Sequence, residues 1–135
     1  MRAAMPKKDQ DYMDYILVNH ASVPDRTSYI LDHTQENFYP YLKEDIEQQS
    51  LLKPEFMVMV CNTAHYFYDD LKKLTTIPLI HMPHTAIQTM AKQYPDEHRI
   101  GLIATKGTLL MASMPMKSKP PAAKSCSAIN RSKIW

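Results

Sequence analysis

Cys61-Asn62-Thr63-Ala64-His65 places a thiol, a carboxamide, a hydroxyl and an imidazole within five residues, directly after the apolar run Phe56-Met57-Val58-Met59-Val60. Five apolar residues in a row, without polar alternation, predict a strand buried on both faces of a parallel sheet. Asn62 or Thr63 can cap a following helix through Tyr66, Phe67, Leu71 and Leu74, with Asp69 and Asp70 early and Lys72 and Lys73 late, the order a helix dipole favours. Cys61 then sits in a βα turn at the carboxyl end of a strand, where parallel sheets bind ligands and where unpaired backbone N–H groups stabilise a thiolate. Such a thiol can act as a base or a nucleophile. A cysteine after a buried strand also serves as a small core residue, and the local pattern leaves both readings open.

Two further stretches carry groups of the right kind. In Asn19-His20-Ala21-Ser22-Val23-Pro24-Asp25-Arg26-Thr27, Pro24 imposes an extended or turn geometry on Val23 and leaves Asp25, Arg26 and Thr27 exposed. A guanidinium there can grip a carboxylate through two parallel hydrogen bonds, or simply pair with Asp25. In Ile100-Gly101-Leu102-Ile103-Ala104-Thr105-Lys106-Gly107-Thr108, hydroxyls, an ammonium and a flexible glycine follow a strand. That turn can hold an anion or do no more than satisfy a helix N-terminus. Cys61 and His65 are four apart and His81 and His84 three apart, which raises zinc. Cys61 precedes its helix and His81 ends a strand, so the expectation is surface or loop-capping histidines and no metal site.

Taken together and in this order, the Pro-Asp-Arg-Thr, Cys-Asn-Thr and Ala-Thr-x-Gly-Thr segments resemble the aspartate/glutamate racemase family. The resemblance implies a racemase that uses no cofactor and two opposed acid/base thiols, Cys61 being the first. It further implies that Asn62 and Thr63 orient the substrate, that Arg26 and Ser22 read a side-chain carboxylate, and that Thr105 or Thr108 touches the substrate, with Lys106 at a variable position. The implied substrate is a small acidic amino acid, aspartate or glutamate. Here the pattern departs from the family in two places. The second cysteine would lie in a Gly-Cys-Thr turn of a second lobe, whereas Cys126 lies in Ser-Cys-Ser, and the Gly-Gly-Met-Gly-Pro turn of an opening strand has no counterpart. The expectation is an incomplete first lobe of a two-lobed racemase over residues 1–113, impaired in activity. The alternative is a noncatalytic truncated or frameshifted fragment.

The elements that must position these residues alternate. Tyr15–Val18 reads as a strand; Asn37 to Leu52 as a helix with Phe38, Leu42, Ile46 and Gln49 inward and Lys43, Glu44 and Glu47 outward; Phe56–Val60 and Ile77–Met82 as strands; Thr85 to Tyr94 as a helix; and Ile100–Ala104 as a strand. This is the grammar of an α/β fold with a mostly parallel, doubly wound sheet. At 135 residues the chain can bury one core. Residues 114–135 hold Lys117, Lys119, Lys124, Arg131 and Lys133 with no acid, and their Pro, Ser, Lys and Ala predict a disordered tail. The body is left with eleven of the sixteen basic residues against all fourteen acids, a net of −3. Two unrelated cysteines indicate a reducing cytoplasm rather than a disulfide framework, and no apolar run is long enough to span a membrane. The basic tail has no interleaved aromatics, so no nucleic acid is expected; the expected protein partner is a second copy in a homodimer, or a full-length relative if the fragment is noncatalytic.

Overall fold

A computed structural model describes residues 7–96, 101–113 and 127–128. Its elements in chain order are a 3-10 turn (Asp9–Asp11), helix α1 (Arg26–Leu31), helix α2 (Tyr39–Ser50), strand β1 (Met57–Val58), a 3-10 turn (Thr63–Phe67) running into helix α3 (Tyr68–Leu71) and a further 3-10 turn (Lys72–Leu74), strand β2 (Leu79–Ile80), helix α4 (Met82–Gln93), strand β3 (Gly101–Leu102), helix α5 (Lys106–Ser113) and strand β4 (Ser127–Ala128). Helices and strands are mixed and both strand pairings are parallel, as an α/β chain requires. β1 lies beside β2 with Met57 opposite Leu79, and β3 beside β4 with Gly101 opposite Ser127. The four described strands therefore form two separate two-stranded sheets.

Three local expectations change. Tyr15–Val18 is not a strand: it runs without regular structure and lies open to solvent, with Tyr15 81% exposed. A strand needs a neighbour to take its backbone groups, and β-propensity in the segment cannot supply one. The chain after Pro24 is not an exposed loop but helix α1. Asp25 stands at its N-cap and accepts from the Ser28 backbone N–H at 2.7 Å, so Arg26 and Thr27 become half-buried helix residues. Finally, β4 lies within the stretch expected to be a disordered tail, where Ser127–Ala128 pairs with β3; the rest of residues 114–135 lies outside the described residues.

The helix faces follow from periodicity. In α2, Ile46 is buried, Leu42 packs on the core and Gln49 is half-buried, while Lys43, Glu44 and Glu47 face water. Pro40 sits in the first turn of α2 and Pro83 in that of α4, where a missing N–H removes no helical bond. The α4 helix starts three residues before the expected Thr85, because the ring of His81 accepts from the His84 backbone N–H and caps the turn. Pro78 donates nothing to the ladder, yet its carbonyl accepts from the Met57 N–H at 2.9 Å and so opens the β1–β2 pairing.

The core gathers at Ile46, Leu71 and Leu79, with Tyr39, Leu42, Met57, Met59, Phe67, Tyr68 and Leu74 around it. It ties α2, the β1–β2 pair and α3 into one body directly beneath the Cys61 turn. The segment before α1 is pinned separately: His20 Nδ1 lies 2.9 Å from an Asp45 carboxylate oxygen on α2. No helix among the described residues is long and apolar enough to cross a membrane. Leu71 has no exposed surface, so Leu71→Ala should cost about 2–5 kcal/mol in chemical denaturation. Tyr15→Ala, in the open segment, should stay within about 0.5 kcal/mol of the parent.

Candidate active site

Cys61 follows β1 by three residues and precedes the Thr63–Phe67 turn, so its thiol sits at the mouth of a strand-to-helix junction and is partly buried. Its Sγ lies 3.3 Å from the Thr63 hydroxyl. Burial pushes the thiol pKa up. Against it act the Thr63 hydroxyl, the Ala64 backbone N–H, the charge of Arg26 and the Thr63 N–H, and together they win, leaving the pKa below that of an ordinary cysteine. Asn62 opens the turn through its backbone: its carbonyl accepts from the His65 N–H at 3.1 Å, and its side chain makes no cap bond. Its carboxamide is exposed and available to a ligand.

Arg26 comes from the start of α1. Its charge acts on Cys61, and its Nε is buried with no hydrogen-bond partner. Asp25 does not pair with it as a simple ion pair would; the Asp25 carboxylate is engaged as the cap, and the hydrogen bonds from Ser28 hold its pKa below the ordinary carboxylate value. Thr105 and Thr108 flank the first turn of α5, their hydroxyl oxygens 3.3 Å apart, with Thr105 exposed and Thr108 half-buried. Lys106 is exposed. Ser22 lies in the turn before α1, also exposed, and no contact ties it to Cys61.

What draws the three motifs together is Gly107. A Cβ on it would stand 2.6 Å from Thr27 Oγ1, 3.1 Å from Thr27 Cγ2 and 3.1 Å from Thr63 Cγ2. α1, the Thr63–Phe67 turn and α5 accordingly pack on one another in all three pairs. The glycine is there for space. Its φ is negative, so the flexibility expected of it in an anion-holding turn is not what the position requires. Neither Thr27 nor Gly107 is a residue type that suggests chemistry, and closeness between distant segments has no local signature.

His65, raised above as a zinc ligand and expected at the surface or capping a loop, is instead a core residue. It is 6% exposed, and its Nδ1 stands 2.8 Å from the Cys61 carbonyl. Burial lowers its pKa, opposed by the backbone carbonyls around it, and since a carbonyl only accepts, Nδ1 carries a proton. His81 lies with its ring centroid 4.7 Å from that of His65, and burial lowers its pKa as well. Among the described residues no three His, Cys, Asp or Glu side chains converge as a metal-binding set.

Gly107→Ala sets two effects against each other. Alanine is favoured over glycine in a helix by about 1 kcal/mol, whereas overpacking costs about 1–3 kcal/mol. The substitution should therefore destabilise on balance, and in a Thr27→Ala background, with the nearest clash gone, it should become neutral or stabilising; a denaturation double-mutant cycle reads the coupling directly. An Asp/Glu/Hydantoin racemase family model matches residues 1–113, a span that contains the cysteine turn, the arginine helix and the glycine-bearing helix described above. With that match over most of its length, the chain belongs to the Asp/Glu/Hydantoin racemase family.

Proposed function

We propose that this chain presents one half of a cofactor-independent racemase site, with the Cys61 thiolate as base toward the α-carbon of an acidic amino acid, aspartate or glutamate. The observation that carries the reading is the environment of Cys61: N–H and O–H donors and a guanidinium favour the thiolate over the thiol. In the step, the Cα–H bond breaks, an S–H bond forms, and the electron pair moves into the adjoining carboxylate. Charge then grows on that group, where fixed donors are worth most. Asn62, Thr63, Thr105 and Thr108 supply such donors. Arg26 holds a carboxylate, a reading supported by its buried Nε being left without a hydrogen-bond partner, and Ser22 completes the reading of the side-chain carboxylate from the turn before α1.

Inversion also needs an acid on the opposite face of the α-carbon. Cys126, in Ser-Cys-Ser, does not match the family's second motif, and it lies outside the described residues. As these 135 residues stand, we read the chain as an incomplete first lobe of a doubly wound architecture, able to take a proton from one enantiomer and return it to the same face. Losing a positioned acid/base group typically lowers a rate about 10²- to 10⁴-fold. A noncatalytic fragment is the competing reading, and it predicts no exchange at all.

The test is to incubate the purified chain with L- and D-aspartate and L- and D-glutamate in deuterated buffer, following loss of the α-proton by NMR and optical rotation in parallel. The expected result is slow exchange from one enantiomer without inversion, abolished in Cys61→Ala. Because the thiolate is the base, the exchange rate should rise with pH and level off below the pH at which an ordinary cysteine ionises. Inversion well above buffer would mean that the opposite face is occupied after all, by a group of this chain or of a second copy. Exchange that survives Cys61→Ala would remove the cysteine from the mechanism.

A further inference from the structure

His65 combines three features that a core histidine does not need. Its ring is locked, stacked against Tyr68 with the two planes 15° apart and packed on His81 from another side. Its Nδ1 is committed to the Cys61 carbonyl at 2.8 Å. Its Nε2 is buried without a hydrogen-bond partner. An unpaired buried polar atom carries a desolvation cost that phenylalanine of similar shape would avoid. The ring therefore has a use that phenylalanine could not serve: its short hydrogen bond is to the cysteine's own peptide carbonyl, with the Asn62 and Ile80 backbone acting on it more weakly.

We propose that His65 is a positioning residue for Cys61: by donating from Nδ1 to the Cys61 carbonyl, it fixes the 61–62 peptide plane and so holds the thiol against the Thr63 and Ala64 N–H groups. This inference rests on Cys61 being the base described under Proposed function. The geometry is that of a short tether. The carbonyl of Cys61 is drawn inward toward the turn, Asn62 closes the turn through its own carbonyl onto the His65 N–H at 3.1 Å, and the next two N–H groups are left to face sulfur. Without the tether the carbonyl is free to rotate toward water, and the N–H groups lose their common focus. Arg26 faces the thiol from α1 and would be unaffected, so the tether acts on the backbone donors alone.

The experiment uses the full chain in a Cys126→Ser background, so that Cys61 is its one thiol, with iodoacetamide alkylation followed as a function of pH. His65→Phe keeps the ring and removes the donor. His65→Asn removes the ring and puts an amide N–H close to where Nδ1 stood. The tether predicts that His65→Phe raises the pH midpoint of alkylation by about one unit, roughly tenfold less thiolate near neutrality, and that His65→Asn brings the reactivity back to within about threefold of the parent. A purely structural role predicts the opposite order, because losing the stacked ring should unfold His65→Asn more readily than His65→Phe. Thermal unfolding of both variants establishes that order independently. Alkylation of His65→Phe with the parent midpoint, or His65→Asn as the more impaired of the two, would overturn the proposal.

Should His65→Phe fail to fold, nitrogen-15 NMR of the imidazole in the unmodified chain decides instead: the proton must reside on Nδ1, and a ring protonated on Nε2 alone could not make the tether. The outcome separates cleanly from that of the racemase reading. A thiol shift without any α-proton exchange would retain the tether and sink only the proposed reaction, whereas exchange with an unshifted thiol would do the reverse.

Discussion

The close approach at Gly107 is the constraint on which the site depends. Three segments separated by dozens of residues, the starts of α1 and α5 and the turn after Cys61, meet where a single methyl group would stand within 2.6 Å of one threonine and 3.1 Å of another. Glycine at that point lets the first turn of α5 settle against both, so that α5 packs on α1 and on the Thr63–Phe67 turn. Protein interiors are dense enough that such a contact admits little slack. Thr63 meets Gly107 through its methyl, which leaves its hydroxyl for Cys61, whereas Thr27 presents its hydroxyl oxygen to the glycine.

Around the thiol, local and distant contributions separate cleanly. Burial opposes ionisation, and most of what overcomes it comes from residues within three positions of Cys61, the Thr63 hydroxyl and the N–H groups of Thr63 and Ala64. Only the Arg26 charge arrives from elsewhere in the chain. The acidity of the thiol is thus largely a property of the turn, while the placing of α1 and α5 beside that turn is a property of the packing. The core beneath keeps the turn in place: Leu71 and Leu79 anchor α3 and β2, and Tyr68, whose hydroxyl donates to the Leu79 carbonyl at 2.7 Å, joins that core to the face of His65.

The sheet is the least developed part of the molecule. β1 and β2 form only two residue pairs, Val58 within β1 is still partly open to solvent, and Val60, which would extend it, is 75% exposed. Tyr15–Val18 has the composition of a strand and the surroundings of a loop. Helices satisfy their backbone groups internally, so α2 and α4 form over nearly their full expected lengths, whereas strands depend on neighbours and shrink where none is present.

What the amino-acid order determined by itself was what short-range physics controls: the inward faces of α2, the prolines in first turns, the parallel βα arrangement around Cys61, and the three motifs that mark the family. The cap made by Asp25 was also within its reach, since Ser28 lies three residues on, but Pro24 drew the reading toward an open loop. Tertiary structure alone decided the rest. It left Tyr15–Val18 unpaired because pairing belongs to two segments and never to one; it split the strands into two small sheets; it gave Gly107 its role through the space between Thr27 and Thr63; and it turned His65 inward onto the Cys61 carbonyl. Each of these is a distance between atoms far apart in sequence or a choice of direction for a side chain, and neither quantity is written in residue type or spacing.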